Sequence, residues 1–97
     1  MLVLGFNEGD SVSIGDRVLT YQYYSERKGY VCQYDGDTHF IKGMIKLEPN
    51  VIVEVRGREG RSARRARIAI AAPRELEIRR LGVLDPDAEI ELHHREG

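Results

Sequence analysis

The sequence predicts an all-β fold of mostly antiparallel strands, and three observations carry that expectation. Apolar and polar side chains alternate with a period of two over Ser11–Ile14, Val51–Arg56 and Arg65–Ala71, the pattern of strands that bury one face. β-branched and aromatic residues crowd Val18–Tyr24 and Tyr30–Tyr34, as they do in strands. Glycine, aspartate, asparagine and proline punctuate these runs at short intervals, which marks turns between them.

Taken in order, Met1–Leu4 is a short apolar run of the kind a buried strand shows. Asn7-Glu8-Gly9-Asp10 reads as a turn and Ser11–Ile14 as the next strand. Ile14-Gly15-Asp16 is a second tight turn, with Gly15 free to take a positive φ. Val18–Tyr24 and Tyr30–Tyr34 are joined by Ser25–Gly29, a hairpin loop ending in glycine, and Asp35-Gly36 is a strong tight-turn signal. A third strand is expected over Thr38–Leu47, bent at Gly43, before Glu48-Pro49-Asn50 closes the segment. Residues 19–50 thus read as a three-stranded antiparallel meander.

In the next strand Val51, Val53 and Val55 alternate with Ile52, Glu54 and Arg56. The Gly- and Arg-rich stretch Arg56–Arg64 is the expected connecting loop. Along Arg65–Ala71, Ala66, Ile68 and Ile70 point to one side. Pro73 ends that strand because it lacks the amide hydrogen a ladder requires. Glu75–Arg80 is expected as the last strand, with Leu76 and Ile78 on the core face. In the acidic tail, 84–97, two readings stand. Asp85-Pro86-Asp87 has the residues of a helix start, whereas Ile90 and Leu92 alternate with acidic neighbours as in a strand.

With 97 residues, 41% of them hydrophobic and 32% charged, the chain fits one small globular domain over 1–97. So short a chain buries a modest fraction of its surface, and oligomerisation is an expected source of stability. No apolar run reaches the roughly 18 residues needed to span a bilayer, and Met1 opens no basic-then-apolar leader. Cys32 is the single cysteine, so no intrachain disulfide can form. A cytoplasmic location and no membrane partner are the expectations.

The net charge of −1 hides an asymmetry. Residues 1–50 carry five basic and seven acidic side chains, residues 51–80 nine arginines against four glutamates, and residues 81–97 one arginine against five acids. Arginines 56, 58, 61, 64, 65 and 67 fall within twelve residues, opposed only by Glu59. Such clustering attracts phosphates locally, although an arginine-rich hairpin tip also serves to keep a sheet edge from aggregating.

An enzyme is not expected. Ser11, Ser13, Ser25 and Ser62 lie in no nucleophile motif, and the histidines do not share a known spacing with Cys32. His93 and His94 are adjacent rather than spaced for one face, so with His39 they make a poor metal set, and no metal is expected. Gly57 and Gly60 precede arginines, not the helix start of a phosphate-cradling loop, so no cofactor is expected either. Six of the seven aromatics, Tyr21, Tyr23, Tyr24, Tyr30, Tyr34 and Phe40, lie in 19–50. They are expected to form a local core or a partner-facing patch, with RNA stacking the less favoured use.

Two separated fragments carry one further pattern. The first is Met1–Asp16, with its turns at Gly9-Asp10 and Ile14-Gly15-Asp16. The second spans Val51–Arg80: Val51–Gly57, then Arg67–Arg80, in which Ile68-Ala69-Ile70-Ala71-Ala72-Pro73 followed by Glu77-Ile78-Arg79-Arg80 is the more specific part. Together, over about 45 of the 97 residues, they resemble the carbon storage regulator (CsrA/RsmA) family of small dimeric RNA-binding translational regulators, with 19–50 as an insertion. The resemblance implies an intertwined homodimer of interleaved short strands and a short C-terminal helix. It also implies recognition of GGA in hairpin loops or single-stranded messenger leaders and small RNAs.

Each site would use the first strand of one chain and the last strand of the other. Leu4 would lie in the first-strand part. Arg80 matches the family's central RNA contact, and Arg79 stands where histidine is usual. The backbone from Ala71 through Ala72, Pro73 and Arg74 to Leu76 would read base edges. Where the family has Thr-Arg-Lys after the first-strand leucine, this chain has Gly5-Phe6-Asn7. Where it has Glu-Glu-Ile, this chain has Leu81-Gly82-Val83. Arginines 56, 58, 61, 64 and 65 are the candidates to replace the lost phosphate contacts. Two functions are therefore expected to compete: a homodimeric RNA-binding regulator, or an assembly module that keeps the fold without GGA recognition and holds a protein partner on its tyrosine-rich insert.

Overall fold

The computed structural model describes residues 1–59 and 65–81. They form nine strands and, among the described residues, no helix: β1 (Leu2–Phe6), β2 (Ser11–Ile14), β3 (Arg17–Ser25), β4 (Gly29–Tyr34), β5 (Asp37–Ile41), β6 (Met44–Glu48), β7 (Val51–Glu59), β8 (Arg65–Ala71) and β9 (Ile78–Leu81). The fold is all-β. Two antiparallel sheets, β1-β8-β7-β6 and β5-β4-β3-β2-β9, enclose one core. The expected helix or strand at 86–94 lies outside the described residues.

Alternation built the core as the sequence predicts. Phe6, Val53, Ile68 and Ile70 of the four-stranded sheet meet Val12, Ile14, Leu19, Tyr21, Cys32 and Tyr34 of the five-stranded one. Segment 19–50 is part of both layers. Its β3, β4 and β5 form the expected meander, while β6 leaves it to pair with β7. The expected single strand over Thr38–Leu47 is therefore two strands in different sheets. Ile41 is buried at the end of β5, and Gly43 takes a φ of 97° that breaks the ladder and lets the chain cross the core.

Two other boundaries differ from expectation. The connecting loop expected at Arg56–Arg64 begins later, because β7 continues to Glu59. A bulge at Arg56 absorbs one residue and the pairing then resumes as Gly57↔Arg67, Arg58↔Ala66 and Glu59↔Arg65. Arg56 and Arg58 are thus strand residues, and Arg65 opens β8 as expected. The last strand starts at Ile78 rather than Glu75, since the Leu76 amide donates to the Pro73 carbonyl at 3.0 Å and closes a turn first. Leu76 and Ile78 still pack against the core, as expected.

A second bulge, at Gln22, decides where the tyrosines point. Tyr21 pairs with Cys32, but the next pairs are Tyr23↔Val31 and Tyr24↔Tyr30. Strict alternation from Tyr21 would turn Tyr23 inward. The extra residue turns Tyr23 outward and Tyr24 inward, where its ring lies 4.8 Å from that of Tyr30.

Candidate nucleic-acid interface

The first and last strands sit on the same open side of the molecule, each at the edge of its own sheet. β1 pairs with β8 through Leu4↔Ile68 and its neighbours, and β9 pairs with β2 through Arg80↔Val12. Both pairings are made within one chain. Phe6 and Val12, opposite one another across the two sheets, are fully buried. Arg80 occupies a core-side position in register with Val12, yet its strand is an edge, so its guanidinium reaches out along the seam.

Three contacts hold it there. Arg80 Nη2 donates to the Gly5 carbonyl at 3.0 Å, and its guanidinium carbon lies 5.8 Å from the centre of the Phe6 ring. Arg80 Nη1 is 3.7 Å from Asp10 Oδ2, a carboxylate only 6% exposed that also accepts from the Asn7 amide at 2.8 Å. The Arg80 side chain remains 39% exposed, so the fork is oriented but still open to solvent. A guanidinium has five donors in a fixed plane and can add a second acceptor while keeping the first.

Along the same seam lies a groove of about 520 Å³. Its walls are Met1 and Leu2 at the start of β1, Ile70 and Ala71 at the end of β8, and the connection from Ala72 to Ile78. Ala71, Ala72, Pro73, Arg74 and Leu76, the backbone expected to read base edges, all line it. Arg74 is exposed at the groove, whereas Ala72, Pro73 and Leu76 are half-buried. Leu4 lies on β1 between groove residue Leu2 and Gly5, which Arg80 contacts; it is half-buried and packs against the core.

The other candidates divide. Arg79 points to the opposite face from Arg80, pairs with Ser13 in register, and has its Nε 3.1 Å from Glu77 Oε1. Arg56 Nε donates to Glu54 at 3.0 Å, and its Nη2 lies 3.3 Å from Met1 Sδ, which places it beside a groove residue. Arg58 is directed elsewhere. Its guanidinium stacks 4.0 Å from the centre of the Tyr24 ring, tying β7 to β3. Arg65 is exposed at the far end of the β7–β8 hairpin. Arg61 and Arg64 lie outside the described residues. The arginine cluster is therefore not one patch: Arg56 reaches the groove at Met1, Arg67 stands in register with Gly5, and Arg58 and Arg65 lie elsewhere.

Sequence reasoning missed Asp10, Phe6 and the Gly5 carbonyl as the groups that orient Arg80. Asp10 carried a faint signal, an acid closing a turn four residues after β1 begins to end. The Gly5 carbonyl carried none, because any residue has one. No family model, curated protein or solved structure matches this chain.

Proposed function

We propose that this protein binds RNA along the β1–β9 seam, reading GGA-containing single strands or hairpin loops of messenger leaders and small RNAs as a regulator of the carbon storage type. Arg80, turned toward β1 at Gly5 and still open to solvent, carries the reading, with the groove lined by residues 71–74 and 76 at the Met1–Leu2 end of the same strand. Guanine presents O6 and N7 acceptors to a guanidinium, while main-chain amides and carbonyls in the groove engage the edges of unstacked bases. Arg74 and Arg56 supply phosphate contacts that set position rather than sequence. An RNA held this way over a ribosome-binding site would exclude the ribosome, as the resemblance implies.

The test is a titration of the protein with a hairpin carrying GGA in its loop beside a CCA control, at two salt concentrations. The expected result is GGA-dependent binding that Arg80→Ala weakens by about 10- to 100-fold, the range for losing a good guanine contact. Arg80→Lys keeps a cation facing Asp10 but lacks the fork, so it should bind almost as poorly while folding normally. Equal binding of both hairpins, indifferent to Arg80, would rule the seam out as a GGA reader. The assembly-module reading would then lead. One observation favours it: Arg80 is already engaged by Gly5 and Asp10, and Gly5-Phe6-Asn7 adds no cation beside it.

The homodimer belongs to the same proposal. β1 exposes Met1, Leu2 and Val3 along a sheet edge, an apolar margin that association would cover. Light scattering at micromolar concentration should return twice the chain mass. A monodisperse monomer would remove the dimer and leave the seam standing, because both of its strands come from one chain.

A further inference from the structure

The outer face of the β3-β4-β5 meander presents two aromatic rings that no part of the seam uses. Tyr23, Val31 and Phe40 stand in register across the three strands on this face. Val31, in the middle, is 2% exposed, whereas Tyr23 and Phe40 keep 45% and 51% of their surface in solvent. Adjacent strands lie about 4.8 Å apart, so the two ring-bearing backbones are separated by about 10 Å with an aliphatic floor between them. The bulge at Gln22 is what brings Tyr23 to this face. The neighbouring row, Thr20-Gln33-Thr38, is polar, with Gln33 half-buried and Thr38 exposed.

Charge gathers at the same end. The loop after β3 carries Arg27 and Lys28 against Glu26, and Lys42 follows β5. Lys28 Nζ sits 5.2 Å from the centre of the Phe40 ring. Gly29 brings the loop against β5 so closely that a Cβ there would lie 2.5 Å from the Ile41 carbonyl oxygen and 2.8 Å from Lys42 Cγ. Lys28 and Lys42 thereby flank one tight contact, with Lys28 beside the ring. The opposite end of the meander holds Asp35 and Asp37. The aromatic end is the cationic end.

We infer that this face is a second nucleic-acid surface, a stacking platform that takes one base on Tyr23 and one on Phe40 of a single strand whose phosphates lie against Arg27, Lys28 and Lys42. Exposed rings on a sheet face, next to amide and hydroxyl groups and rimmed by cations, suit unpaired bases of any sequence. A protein partner fits less well. Two rings of about 200 Å² each, half exposed, offer on the order of 200 Å² of apolar surface, against roughly 800 Å² per partner in a standard interface. The platform lies entirely within 19–50 and does not depend on Arg80.

A fluorescent fifteen-nucleotide oligouridylate, which contains no GGA, separates the two surfaces. Anisotropy at low salt should show micromolar binding by the full chain. Tyr23→Ala with Phe40→Ala should weaken it at least 10-fold, as expected for lost base stacking. Tyr23→Phe with Phe40→Tyr should restore it. Lys28→Glu with Lys42→Glu should flatten the log–log salt slope by about 1.4, at about 0.7 per phosphate on a single strand. Arg80→Ala should leave it unchanged. Wild-type failure to bind oligouridylate, or unchanged binding by a folded double alanine variant, would overturn the platform. So would loss of binding in Arg80→Ala, which would assign the oligouridylate to the seam.

Discussion

The seam and the meander face, the two surfaces proposed for single-stranded nucleic acid, are built from different material. The seam combines a main-chain carbonyl at Gly5, a groove lined by Ala71, Ala72, Pro73, Arg74 and Leu76, and one arginine turned by a buried carboxylate. The meander face is a lattice of side chains, rings in one row and polar groups in the next, set by strand register. Fixed main-chain donors in a groove discriminate among bases, because a wrong edge leaves them unpaired. A flat platform of rings accepts every base. Under the two proposals, sequence choice falls to the seam and added affinity to the insert.

Arg80 and Arg58 give the sharpest way to break that comparison. Both cross from one sheet to an aromatic ring of the other, Arg80 over Phe6 and Arg58 over Tyr24. Only Arg80 lies on the seam. In the GGA titration Arg80→Ala should cost about 10- to 100-fold, while Arg58→Ala should change affinity less than about threefold and instead lower stability by about 1 kcal/mol. Comparable losses of affinity in the two variants would show that charge alone, not placement, governs binding.

Gly29→Ala attacks the meander from within. At a φ of 86°, with a Cβ driven to 2.5 Å from a backbone oxygen, it should destabilise the fold by about 3 kcal/mol in urea unfolding. Gly36→Ala, also at positive φ but facing open space, should cost about 1 kcal/mol. Equal costs would mean that the loop yields, and that Lys28 and Lys42 are not held together by it.

Among the described residues, the shifts that tie stability to alkaline pH fall on the insert. Burial pushes the Cys32 thiol from 9.0 up to about 12. Burial, then the Glu8 charge, raises Tyr21 from 10.0 to about 12. Burial, followed by its hydrogen bond to Glu48, also raises Tyr34. Each group keeps its proton in the folded chain where the unfolded chain has lost it, so the unfolded state gains as pH rises. Full stability is expected below about pH 8.5, with loss beginning as Cys32 ionises in the unfolded chain and steepening above about pH 10 as the tyrosines join. Each group contributes up to about 1.4 kcal/mol per pH unit. Cys32→Ala should remove the first part of the loss; an unchanged profile between pH 8.5 and 10 would show that the thiol ionises equally in both states.

Much of this was legible in particular residues. The alternation at Ser11–Ile14 and Arg65–Ala71 matches buried Val12, Ile14, Ala66, Ile68 and Ile70, and Asp35-Gly36 forms the turn its residues favour, at φ values of 52° and 90°. Such features are local: side-chain period and turn chemistry act over a few neighbours. Arg80 could be singled out beforehand, but the carbonyl and carboxylate that orient it could not, since they lie 75 and 70 positions away in sequence.

By itself, then, the sequence determined that the chain is made of short strands, where most of them turn, and which side chains favour burial. Only the tertiary structure decided that β1 and β9 meet along one side, that Thr38–Leu47 divides between two sheets, and that one extra residue at Gln22 sends Tyr23 out and Tyr24 in. These outcomes depend on which distant strand supplies the hydrogen-bonding partner and the opposing apolar face. A single residue of register then reverses every side chain beyond it.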